Sequence, residues 1–173
     1  MARSDKELRV ETSQNGKTGL PGRVLALDLG SHRIGIAISD PLGITAQGLE
    51  TLHRRNKRHD LEYLLALIRK HEVSEIVVGL PLRMSGAEGI QADKAQAFAG
   101  DLRQKFGLPV HLWDERLSSA EANRLLREAD LSIDKRGKAV DRMAAVLILQ
   151  SWMESRRVGN AGHLGFAGNE PQI

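Results

Sequence analysis

The stretch Val24-Leu25-Ala26-Leu27-Asp28-Leu29-Gly30-Ser31-His32-Arg33-Ile34-Gly35-Ile36-Ala37-Ile38-Ser39 reads as two strands joined by a turn. Residues 24–29 are a continuous apolar run with one acid, Asp28, inside it. Such a run belongs to a strand covered on both faces, and so to the middle of a sheet. Gly30-Ser31-His32-Arg33 is a short turn, and residues 34–39 form the second apolar strand. A connection this short makes the pair an antiparallel hairpin.

Working outward, Gly19-Leu20-Pro21-Gly22 breaks the chain before the hairpin. Residues 44–52, after Pro41 and Gly43, supply a third strand. Asp60 is placed to cap a helix whose apolar positions Leu61, Leu64, Leu65 and Ile68 follow helical spacing. Residues 75–80 are another buried-type strand, ended by Pro81. A helix is expected from about Glu88 to Phe106, stopped by Gly107, and a strand over 110–113 runs into Asp114-Glu115-Arg116. Ser118-Ser119-Ala120-Glu121 has the form of a capping box, opening a helix with Ala122, Leu125, Leu126 and Ala129 on one face. A basic loop, residues 134–138, precedes a last helix over about 139–156. That helix is apolar nearly all round through Ala144 to Leu149, so it packs deeply. Alternating later elements favour parallel pairing and the opening hairpins antiparallel pairing. The expectation is an α/β fold: a mixed five-stranded sheet flanked by helices, its first three strands antiparallel and its later strands parallel.

The 173 residues hold one domain. It is expected over 23–157, between a flexible basic tail (1–22) and a flexible glycine-rich tail (158–173). The 41% hydrophobic content fits a globular chain. The absence of cysteine excludes disulfides, thiolate zinc, iron–sulfur clusters and a Cys nucleophile. No run approaches the ~18 apolar residues of a membrane helix, and residues 1–20 lack a signal-peptide core. No membrane partner is expected, and the location expected is cytoplasmic. A net charge of +3 is compatible with a nucleic-acid partner.

Acids stand in apolar settings on three separate elements. Asp28 lies near the end of the first strand, Asp114 and Glu115 end another, and Asp141 opens the most buried helix, on the face of Ala145 and Trp152. An ionised carboxylate is costly to bury unless paired, hydrogen-bonded or metal-bound. Taken singly, each has a plainer reading: a turn former, a partner for Arg116, a helix-dipole complement. Together they bring three separate elements to the carboxyl ends of the strands, where open α/β sheets bind ligands. Clustered carboxylates repel unless a cation neutralises them, and oxygen-only ligation suits Mg²⁺ or Mn²⁺. Two such ions promote phosphodiester hydrolysis. Alternation leaves Asp114 and Glu115 equally eligible, because neighbours on a strand point to opposite faces.

Other candidates weaken on inspection. Asn15-Gly16-Lys17-Thr18 resembles the end of a phosphate loop, but Glu11 stands where glycine is required. No G-x-G-x-x-G occurs. His53 and His59 read as solvated loop histidines, His111 as a packed strand residue, and Ser118 as a helix cap. The basic cluster Arg54, Arg55, Lys57 and Arg58 and the cluster Lys135, Arg136, Lys138 and Arg142 are candidates to hold phosphates beside the acids.

Four blocks, ALDLGSHRIGIAISD (26–40), IVVGLPLRMSG (76–86), DERLSSAEA (114–122) and VDRMAAVLILQSW (140–152), resemble the YqgF/RuvX family over about residues 23–156. Its members are RNase H-like proteins described as Holliday junction resolvases and as pre-16S rRNA nucleases. The resemblance implies an RNase H-like sheet and a metal-binding catalytic triad of Asp28, Glu115 and Asp141. It thereby selects Glu115 and leaves Asp114 a supporting role. His32 and Arg83-Met84-Ser85 depart from the usual family pattern. The activity implied is Mg²⁺- or Mn²⁺-dependent cleavage of structured RNA in pre-16S rRNA 5′-end maturation, with Arg33, Arg83, Arg116 and Lys138 on neighbouring phosphates. Three rivals stand beside it: resolution of branched DNA by a homodimer where RNA cleavage needs only a monomer, an actin-like phosphate-binding relative carrying Asp28-Leu29-Gly30, and a non-catalytic RNA-binding ribosome-assembly module.

Overall fold

A computed structural model describes residues 22–83, 85–118 and 135–163. Six strands make one sheet: β1 (Arg23–Leu29), β2 (Arg33–Ser39), β3 (Ala46–Gly48), β4 (Leu52–His53), β5 (Val73–Leu80) and β6 (Val110–Asp114). Their order is β3-β2-β1-β5-β6, with β4 also paired to β2. The β1–β2, β2–β3 and β2–β4 pairs are antiparallel; β1–β5 and β5–β6 are parallel. Helices α1 (Lys57–His71), α2 (Ile90–Phe106) and α3 (Lys135–His163) flank the sheet, and Glu115–Leu117 is a single 3₁₀ turn.

The mixed α/β sheet is the one expected, except that the third strand is split. β3 pairs Gly48 with Ala37, while β4 pairs Leu52 with Ile34, a register displaced by one residue. An extra residue in one strand breaks the ladder locally and bends it. The Leu49 N–H to Ile36 carbonyl bond, 2.8 Å, bridges the gap.

β1 is central because both of its faces are covered. Leu25 and Leu27 join the larger core with Leu61, Leu64 and Ile68 of α1 and Phe98, Leu102 and Phe106 of α2. Val24 and Ala26 face the other way, into a core with Ala144, Ala145, Ile148, Leu149 and Trp152 of α3. That second layer is rich in alanine, so α3 lies close on the sheet. Strand alternation puts Asp28 in the same row as Val24 and Ala26, beneath α3.

Three boundaries differ from expectation. The cap of α1 is Asn56, whose side chain accepts from the His59 N–H; Asp60 lies one turn inside, buried, and accepts from Arg54 Nε at 2.9 Å. Asn is as good a cap as Asp, and the internal ion pair holds Asp60 elsewhere. α3 begins at Lys135, so residues 135–138 form its first turn and not a loop. It also runs on to His163, because each added residue gains a backbone bond once a helix is nucleated. Residues 158–163, expected to lie in the tail, thus belong to this helix. The helix expected beyond Ser118 lies outside the described residues.

Candidate active site

Asp28 is 5% exposed near the end of β1 and pairs across the ladder with Gly35 of β2. On its other side the β1–β5 register matches Leu27 with Val78, which sets Asp28 beside Gly79. The acid thus has a glycine on each neighbouring strand, and both are occupied from above. A Cβ on Gly35 would collide with the Asp141 carbonyl oxygen and lie 3.3 Å from the Asp141 Cβ. A Cβ on Gly79 would lie 2.7 Å from Glu115 Oε1 and 2.7 Å from Ile148 Cδ1. Neighbouring strands are about 5 Å apart, so the three acidic residues occupy adjacent positions on one face. Mid-strand glycines commonly mark such close approaches. The sequence signal for this close approach is the glycine within each strand, in IGIAIS (34–39) and IVVGLP (76–81).

Glu115 is brought in by the chain turning at the end of β6. His111 and Trp113 share the α3 face, and Asp114 falls in the alternate row, so Glu115 is the acid in phase with the centre. The 3₁₀ turn carries its side chain over Gly79, where it is 3% exposed. Two hydroxyls brace that turn. Ser151 of α3 accepts from Trp113 Nε1 at 3.2 Å and donates to the Leu117 carbonyl at 2.8 Å; Ser118 Oγ donates to the Glu115 carbonyl at 2.9 Å. Asp114 caps the turn through the Arg116 N–H and pairs with the Arg116 guanidinium at 2.6 Å. That pairing holds the Asp114 carboxyl below the usual carboxylate range, although burial opposes it.

Asp141 stands in the second turn of α3, past the first turn where a helix dipole is felt, so a dipole role does not account for it. Its Oδ2 accepts from Arg33 Nε at 2.6 Å. Arg33 therefore sits on the acidic centre itself. Arg83 is exposed in the loop after β5, and Arg116 reaches that loop, with Nη1 3.5 Å from the Arg83 carbonyl. Lys138 lies in the first turn of α3, with its side chain outside the described ones. The basic cluster after β4 is largely spoken for: Arg54 holds Asp60 and the Gly30 carbonyl, Lys57 pairs with Asp101, and Arg58 with Glu62.

The donor set fits a hard divalent cation in kind. Asp28 and Glu115 are buried carboxylates flanking one glycine, and their mutual repulsion falls when a cation is shared. Asp141 is adjacent but engaged by Arg33. Among the described residues, no three His or acidic side chains already converge as a cage, and no helix is long and apolar enough to cross a membrane.

The chain is similar to known proteins in sequence and, more distantly, in structure. A relative from Koribacter versatilis, named "Putative pre-16S rRNA nuclease", is 61% identical over 137 residues, covering 79% of this chain and 90% of its own. One of the same name from Moorella thermoacetica is 49% identical, over 81% of this chain and 99% of its own. Among solved structures, T. thermophilus RuvC in complex with a Holliday junction substrate aligns with a TM-score of 0.47 at 13% identity, over 79% of this chain and 96% of that one. The RuvX family, described as Holliday junction resolvase, matches residues 22–155, and the chain belongs to that family.

Proposed function

We propose that this protein is a metal-dependent nuclease that hydrolyses phosphodiester bonds in structured RNA, acting in maturation of the 5′ end of pre-16S rRNA. The observation that carries the reading is the row Gly35–Asp28–Gly79, with Asp141 seated over one glycine and Glu115 over the other. The substrate follows the names of relatives up to 61% identical.

Asp28, Glu115 and Asp141 would hold Mg²⁺ or Mn²⁺, which supplies charge against the developing phosphorane and lowers the pKa of a water nucleophile. The chain's own part is to keep these carboxylates adjacent and fixed. β1 holds Asp28 rigidly because it is paired on both sides. The braced turn aims Glu115, and the packed seat of α3 positions Asp141. Arg83, on the loop after β5, and Arg116, within the 3₁₀ turn, meet the flanking phosphates. Asp114 supports them by orienting Arg116.

The test is cleavage of a labelled 16S precursor with Mg²⁺, Mn²⁺ or EDTA. Asp28→Asn is expected to lower the rate by more than ~100-fold with the fold intact, since losing even an indirect metal-site partner costs 10–100-fold. Equal cleavage by variant and wild type would refute the site. The family description favours a second substrate, the four-way DNA junction. Paired nicking of a junction needs two active sites and hence a dimer. Mass in solution under cleaving conditions separates the two, because a strict monomer is incompatible with resolution.

A further inference from the structure

Arg33 occupies an unusual place, a cation built into a centre made of carboxylates. Its backbone is fixed from both sides. The Gly30 N–H donates to the Arg33 carbonyl at 2.8 Å, and Arg33 pairs with His53 of β4. A Cβ on Gly30 would lie 2.6 Å from that carbonyl, so the turn closes this tightly only with glycine. Arg54 then clamps the turn, its N–H on the His32 carbonyl and its Nη1 on the Gly30 carbonyl. From this fixed base the guanidinium reaches across 108 residues of sequence to Asp141. The pair is only partly exposed, 30% for the Arg33 side chain and 18% for Asp141.

The consequence is electrostatic. Three carboxylates at one sheet edge destabilise each other without a cation, and Arg33 neutralises one of them. The same contact occupies Asp141 Oδ2, and among the described residues no three acidic or histidine side chains are grouped to hold a metal ion. We propose that Arg33 is a resident counter-ion that competes with the divalent cation for Asp141, so that full coordination requires the Arg33–Asp141 pair to open. Arg33 is then a positioning residue whose release accompanies metal loading. This rests on the carboxylate centre being a divalent-cation site.

The experiment is Mn²⁺ binding to the purified full chain without nucleic acid, by calorimetry or by loss of the free-ion paramagnetic signal. Wild type is expected to bind and Asp28→Asn to lose binding. Arg33→Gln is expected to bind Mn²⁺ about fivefold more tightly, the scale of a partly exposed ion pair. Arg33→Lys keeps the charge but loses the planar fork. It is expected to give a smaller rise in the same direction, and it carries the test if Arg33→Gln does not fold. In an Asp141→Asn background the Arg33 substitution is expected to have no further effect. Unchanged or weaker binding by both Arg33 variants would overturn the proposal while leaving the metal site standing. So would a rise that persists in Asp141→Asn, since that reflects long-range charge and not competition. Wild type binding no better than Asp28→Asn would instead remove the metal site, and this inference with it.

Discussion

At Gly79 a single methyl group would meet both Glu115 Oε1 and Ile148 Cδ1 at 2.7 Å, well inside ordinary contact. The backbone there needs no positive φ, so the glycine serves space and not conformation. Overpacking a fitted position costs about 1–3 kcal/mol. Gly79→Ala is therefore expected to destabilise the fold by about that much in a urea melt. Glu115 is the more movable neighbour, so metal-dependent cleavage should fall further than the stability loss explains. A normal rate with a normal melt would show that Glu115 is not held where cleavage needs it. The residue scale also corrects a reading of charge. Arg54 looks like a phosphate contact in sequence, yet its guanidinium is used on Asp60, the Gly30 carbonyl and, 5.6 Å away, the Phe98 ring.

Among the elements, the loop after β2 shows how α3 is fastened at its far end. Asp40 accepts from the Leu42, Ile44 and Thr45 N–H groups and from Thr45 Oγ1, closing the loop on itself. Arg157 of α3 then donates to the Gly43 and Ile44 carbonyls. The donated N–H bonds favour the charged carboxylate and outweigh desolvation, so the Asp40 pKa is lowered to about 2. An unfolded Asp titrates near 4. A lowered carboxylate contributes stability that is complete above the unfolded pKa and fades as pH falls through the folded one. Asp40→Asn should therefore be less stable than wild type at neutral pH, and the gap between their melts should close between about pH 4 and pH 2. A gap independent of pH would mean that the carboxylate charge contributes nothing to the loop.

For the whole molecule, the small net charge of +3 conceals an uneven pattern. Acids cluster at one sheet edge, while several surface cations are already paired with acids of the chain. Net charge alone therefore overstates the surface left for a phosphate backbone. Arg83, exposed beside the acidic centre, differs from Arg116, which Asp114 engages at 2.6 Å. Arg83→Ala is expected to weaken nucleic-acid binding uniformly across sequences and to reduce the salt dependence by about one ion. Arg116→Ala should have a smaller effect on the same titration. Equal effects would mean that the Asp114 pair opens freely on binding.

By itself the sequence determined the central apolar strand with its acid, the hairpin after it and two helices close to 57–71 and 90–106, and it offered the acids at three elements as candidates. These features are written in local pattern: an unbroken apolar run, a short turn, helical spacing, Gly107 as a left-handed stop. Local pattern left Asp114 and Glu115 equally eligible and only resemblance chose between them; the tertiary structure lays the Glu115 side chain over Gly79, which depends on where β6 ends and how its turn folds. It also decided the one-residue slip between β3 and β4, which arises in pairing with β2 and not in either segment. Above all it decided which charges are used internally. Arg33 and Asp141 are 108 residues apart, and nothing local in either segment reports that a packed helix will lay one upon the other.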